Sequence, residues 1–175
     1  MMFVSLGIGT VIAIILITVV SILTGGKVQN STATPPALVG KTLGHWTQAG
    51  LDGSMVSAPW NTGHATVVVL FASWCEPCKT EFPALSTYLA THSLGKVALL
   101  GVDEQDSRSS ALAFLKKEHV TMTSIFDPQT SAYNRFLLQG IPDTVFVTAK
   151  GVVQNMQIGA ISTSTFAADV AALNA

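Results

Sequence analysis

Charge is scarce in this chain. Of its 175 residues, 9 are Lys or Arg and 10 are Asp or Glu, for a net charge of -1. Basic residues form no cluster, which argues against nucleic acid, whose phosphates call for a basic footprint. Cysteine is scarcer still: Cys75 and Cys78 are the only two. A single pair three apart argues against a multi-bridge disulfide framework and leaves a redox pair or half of a metal site. The other half of a metal site is missing. There is no second Cys-x-x-Cys, and His45, His64, His92 and His119 are scattered, with none at paired ligand spacing. A structural zinc site needs four ligands, so no metal or other cofactor is expected. The pairing also argues against a peroxidase built on one activated cysteine. No internal repeat is present.

Apolar residues, by contrast, make up 49% of the chain. Phe3 to Leu23 carries no charged residue, and Val11 to Val20 is almost all Val, Ile, Leu and Ala. About 20 apolar residues suffice to cross a bilayer as a helix. A cleaved signal peptide is the alternative, but the start lacks a basic side chain and no clear A-x-A pattern follows. Residues 1–25 are therefore expected to be a single-pass anchor, in the membrane through residues 3–24. Lys27, just after the span, is one vote for placing the following chain in the cytoplasm. The redox chemistry read below favours the opposite side. Residues 26–40, rich in Gly, Ser, Thr and Pro, read as a linker. Residues 41–175 read as the folded domain.

Within that domain, Leu51-Asp52-Gly53-Ser54 is a turn signal between short strands near Trp46 and Met55-Val56, hence a hairpin. The block Val67 to Phe71 suggests a strand buried on both faces. Glu76 to Thr91 reads as a helix, with Pro77 tolerated in its first turn and Pro83 expected to kink it. Phe82, Leu85 and Leu89 would form its apolar face. Lys96 to Val102 reads as a strand and Ser109 to Glu118 as a helix with Leu112 and Leu115 on one side. A brief strand, Ser124 to Phe126, follows. Asp127-Pro128 predicts a helix N-cap and first position, with the helix reaching about Leu138. Thr144 to Thr148 and Val152 to Ile158 predict a hairpin through Lys150-Gly151, and Ser162 to Leu173 a final helix. This order predicts an α/β fold with a central mixed sheet flanked by helices.

Cys75 would stand at the end of the buried strand, just before a helix N-terminus. Free N–H groups and the helix dipole there favour a thiolate. Cys78, one turn further in, would be shielded. Such a pair supports thiol–disulfide exchange: Cys75 attacks a substrate disulfide and Cys78 resolves the mixed disulfide, or the reverse sequence oxidises a dithiol. Glu76, between the cysteines, disfavours the thiolate and tilts the pair toward a reductant. Glu81, three residues after Cys78, shares its helix face. It reads either as a buried acid that takes the Cys78 proton or as a solvated helix carboxylate.

Trp74-Cys75-Glu76-Pro77-Cys78 resembles the active site of the thioredoxin fold. The wider string, Phe71-Ala72-Ser73-Trp74 through Lys79, Glu81, Phe82 and Pro83, is similar to the membrane-anchored TlpA/ResA-like thiol–disulfide oxidoreductases. The resemblance spans about Leu38 to Leu173, including the N-terminal hairpin and a strand–helix insertion before Gly140-Ile141-Pro142. It implies Cys75 as nucleophile, Cys78 as resolving thiol and Glu81 as the buried acid. It implies Pro142 as a cis-proline facing the cysteines, with the Ile141 backbone free to bond an extended substrate. The substrate-contacting set is then Trp74, Glu76, Pro77, Ile141 and Pro142, with Trp74 shielding the pair or simply packing in the core. Asp143 departs from the family, which more often has an uncharged residue there, and is expected to place a charge near the substrate groove. The resemblance implies a protein-disulfide reductase on the extracytoplasmic side of the cell membrane. Its partners would be exported proteins with disulfides, such as apocytochromes c, and a transmembrane electron donor. An oxidant or isomerase of the same fold, and a binding module with an inert disulfide, are the rival readings.

Overall fold

The computed structural model describes residues 36–175. The expected anchor, and the linker up to residue 35, lie outside the described residues. Among the described residues no helix is long and apolar enough to cross a membrane.

The hairpin forms where Leu51-Asp52-Gly53-Ser54 signals it. Strands β1 (Thr47–Ala49) and β2 (Met55–Ser57) pair antiparallel, Thr47 opposite Ser57. Asp52 closes the turn by accepting from both the backbone N–H (2.9 Å) and the hydroxyl (2.7 Å) of Ser54. Gly53 sits at φ +86°, a left-handed conformation that a side chain would make costly.

A five-stranded sheet carries the rest. Its strands are β3 (Thr66–Phe71), β4 (Ala98–Glu104), β5 (Thr123–Asp127), β6 (Asp143–Val147) and β7 (Val153–Ile158), in the order β5-β4-β3-β6-β7. β3 is central, parallel to β4 and antiparallel to β6, so the sheet is mixed as expected. All six residues of β3 are buried. Val67, Val69 and Phe71 face one core with Phe82, Phe114, Phe146 and Phe166. Val68 and Leu70 face another with Trp46, Trp60, Phe136 and Val145. Strand alternation thus splits one apolar run between two layers.

Among the described residues four α-helices flank the sheet: α1 (Glu76–Thr91), α2 (Arg108–Lys117), α3 (Ser131–Phe136) and α4 (Thr163–Asn174). α1 has the predicted bounds and continues through Pro83. Ser107 caps α2 and Ser162 caps α4, each accepting at 3.1 Å from an amide three residues on. On α2 half of the predicted face is right: Leu115 turns inward and Leu112 does not. Ala111, Phe114 and Leu115 are buried while Leu112 is 46% exposed, because a helix turns 100° per residue and the sheet lies under residue 111. α3 also starts later than predicted. Asp127 ends β5 instead of being the N-cap, and its carboxylate reaches over the turn to the amides of Ser131 (3.0 Å) and Ala132 (2.7 Å). The helix stops at Phe136, where Leu137 turns left-handed at φ +52°.

Candidate active site

β3 delivers the cysteines. Its register with β6 ends at Leu70 opposite Asp143, so Pro142 and Ile141 run on alongside Phe71 and Ala72. The chain then turns through a Cys75 N–H to Ala72 carbonyl bond of 3.2 Å. Two further bonds hold this turn against the loop after β4. The Ser73 amide donates to Asp106 at 2.7 Å, and the Trp74 indole N–H donates to the Gln105 carbonyl at 3.0 Å.

Cys75 occupies the N-cap of α1 and is disulfide-bonded to Cys78, with Cα atoms 5.3 Å apart. The Cys78 amide donates to the Cys75 sulfur at 3.2 Å. That N–H is one of the free donors of a helix start, and it would stabilise a Cys75 thiolate. Cys75 keeps 3% exposure and Cys78 none, so the order of access is the expected one by a narrow margin.

Trp74 is 52% exposed, which removes core packing as its explanation. Glu76 and Pro77 are exposed beside it. Glu76 is not a lone charge: Lys79 Nζ lies 2.9 Å from its carboxylate, one helical turn along. The ammonium offsets part of the field that Glu76 would impose on a thiolate, so the sequence-based tilt toward a reductant is weaker than Glu76 alone suggests. The Ile141–Pro142 peptide bond is cis. Pro142 is buried, and Ile141 is partly exposed and packs against the core that holds both cysteines. A pocket of about 170 Å³ opens beside it, bounded by Gln139, Pro142, Ile158 and Gly159.

Glu81 is 6% exposed, so it is not a solvated helix carboxylate. Burial pushes its pKa up to about 7; the Ile161 amide works against that rise, and the Asp143 charge adds to it. Its Oε2 has no hydrogen-bond partner. A small cavity of about 10 Å³ adjoins it, lined also by Leu85, Tyr88 and Ile161. Asp143 is buried, yet it helps line the pocket beside Ile141, so its carboxyl does stand near the expected groove. Its pKa rises to about 6 through burial, moderated by the Gly159 amide.

Two acids near the site escaped the sequence reading. Asp103 and Glu104 are buried at the end of β4, with all four carboxyl oxygens lacking a hydrogen-bond partner. Burial, then neighbouring carboxylates, pushes each to about 8: Asp106 and Asp127 act on Asp103, and Asp127 and Asp103 on Glu104. The available signal was their contiguity with the apolar run, since a parallel strand beside β3 ends at the same edge as the cysteine turn.

The comparisons agree with this geometry. The chain is 29% identical over 109 residues to the thiol:disulfide interchange protein DsbE of Allochromatium vinosum, covering 62% of this chain and 59% of that protein. It therefore spans less than two thirds of that relative's length. It is 25% identical over 134 residues to the sporulation thiol-disulfide oxidoreductase A of Bacillus subtilis, covering 75% of this chain and 76% of that protein. The solved structure of MTB dsbF, in mixed oxidized and reduced forms, superposes with a TM-score of 0.65 at 26% identity, covering 80% of this chain and 99% of that one. The fold is thioredoxin-like, and the model of the AhpC/TSA family matches residues 39–156. With two thirds of its length under that match and its relatives named as thiol–disulfide oxidoreductases of the ResA and DsbE kind, this chain belongs to the AhpC/TSA family.

Proposed function

We propose that this protein is a membrane-tethered reductase of disulfides in exported proteins, apocytochromes c among the candidate substrates. The observation that carries the reading is the cysteine pair itself: bonded across the first turn of α1, with a helix amide aimed at the outer sulfur. In the dithiol form, the Cys75 thiolate attacks one sulfur of the substrate disulfide. That bond breaks, a mixed disulfide forms, and the departing substrate thiolate takes a proton from solvent. Cys78 then gives its proton to the Glu81 carboxylate and attacks the Cys75 sulfur. The Cys75–Cys78 bond forms and the second substrate thiolate leaves and is protonated. Two electrons have passed to the substrate. Recovery of the dithiol needs two electrons and two protons from a membrane-embedded dithiol donor.

Substrate docks as an extended segment along the Ile141 backbone, beside Trp74, Glu76, Pro77 and Pro142. The charge-free run Phe3 to Leu23 supports the tether. Oxidising compartments outside the cytoplasm are where misplaced disulfides need a reductant, which supports an extracytoplasmic domain.

The test is trapping in cells. Cys78→Ser should accumulate mixed disulfides through Cys75 in the membrane fraction, and mass spectrometry of the adducts names the substrates. Cys75→Ser should abolish both trapping and insulin-disulfide reduction. Full reductase activity in Cys75→Ser, or no adduct with Cys78→Ser, would reject the exchange mechanism. A wild-type pair held mainly as the disulfide in cells, with unpaired thiols accumulating in exported proteins when the gene is deleted, would favour the oxidase reading.

A further inference from the structure

Glu81 and Asp143 come from different elements and from opposite sides of the sheet. Glu81 rises from α1 on the face that holds Phe71 and Phe82. Asp143 has the strand parity of Val145 and Val147 and stands opposite Leu70, all of which face the other core. What joins the two carboxyls is one stretch of backbone between β7 and α4. The Gly159 amide donates to Asp143 Oδ1 at 2.9 Å. Two residues later, Ile161 lies close enough to Glu81 for its amide to favour the ionised carboxyl. Ile161 and Glu81 also line the same small cavity. Gly159 sits at φ +77°, the left-handed region open to glycine, which lets the chain leave β7 and enter α4 within five residues. Asp143 keeps its Oδ2 unpartnered in the interior and directly follows the cis-proline.

We propose that Asp143 is a positioning residue for Glu81: by pinning the Gly159 amide it sets where the Ile161 amide meets the Glu81 carboxyl. It thereby ties the cis-proline turn, where substrate docks, to the acid that takes the Cys78 proton. The second half of this statement rests on the function proposed above; the pin does not. The titratable groups around Glu81 are Cys78 and Tyr88 on its own helix and Asp143 on β6, while the loop and α4 present Ile161, Thr163 and Phe166. No basic side chain is among them.

The deciding experiment is an amide-proton NMR titration of the full-length oxidised protein, in which neither cysteine can titrate. The Ile161 amide should follow Glu81 ionisation, and the signal should vanish in Glu81→Gln. Asp143→Asn removes the charge but keeps an acceptor for Gly159. It should lower the Ile161 midpoint by roughly half a pH unit or more while keeping its amplitude. Asp143→Ala removes the acceptor as well and should cut that amplitude by roughly half or more. Wild-type amplitude in Asp143→Ala overturns the pin. Should Asp143→Ala fail to fold, the wild-type Gly159 amide decides instead: one that exchanges with solvent as freely as an unbonded amide overturns the pin. If the pin holds but Glu81→Gln leaves the pH profile of disulfide exchange unchanged, the pin stands and the role of Glu81 in exchange falls.

Discussion

Glu81 decides most at the residue scale. An ordinary carboxyl is almost fully ionised at neutral pH and is a poor match for a thiol proton. Held near 7 by burial, Glu81 has the proton affinity that the proposed resolving step asks of it near neutral pH. Glu81→Gln should therefore slow the resolving step and remove the limb of the pH profile near 7. It should also lower the apparent thiol pKa, because a nearby negative charge that disfavours the thiolate is gone. Stopped-flow exchange of the mixed disulfide from pH 5 to 9 reads both effects, and an unaltered profile would return Glu81 to a purely structural role. The sequence offered two readings of this residue because spacing gives the helix face but not what covers it. The same holds for Trp74, whose exposure depends on the loop after β4 holding its indole N–H.

At the scale of elements, α3 shows where local signals ran short. Asp127-Pro128 looks like a cap followed by a first helical residue, yet β5 extends through Asp127 because Glu104 pairs with it in the parallel register. The carboxylate still satisfies the helix start, from three residues before the expected geometry. It accepts from two amides and the Ser131 hydroxyl. Asp127→Ala should cost about 1–2 kcal/mol, as loss of a well-made cap does, and should leave Glu104 without its carboxylate neighbour. Equilibrium urea unfolding measures it; a loss under about 0.3 kcal/mol would mean that α3 is held by Ala132 and Phe136 alone. α1 was legible almost residue by residue because its start, its apolar face and its tolerated Pro77 are all local. α2 was legible as a helix but only half as a face: Leu115 is buried as expected, yet Leu112 fits the spacing as well as the buried Ala111 does.

The whole molecule carries a cost in its buried acids. Asp103 and Glu104 stand near 8 and Glu81 near 7 in the fold, against ordinary values of 3.8 and 4.5. Below about 4 these groups are protonated in both states and cost nothing. As pH rises toward 8 the unfolded chain loses their protons and the folded protein does not, so stability falls across that window and levels off above it. The oxidised protein should be most stable in mild acid, with Glu104→Gln flattening the decline. Urea midpoints from pH 5 to 9 provide the check. A midpoint that rises with pH would show these carboxyls to be ionised in the fold.

The cysteine pair, the strand before it, the helix after it and the mixed sheet were all written in linear order, because each depends on neighbours within about ten residues. Which carboxyls lose water, which tryptophan stays out, and which helix face turns inward were settled only by folding. Those outcomes depend on surfaces brought together from distant parts of the chain: β4 laid beside β3, β6 run antiparallel to it, and the loop after β7 closed over Glu81. Solvent exclusion is a property of that assembly, and no stretch of sequence carries it alone.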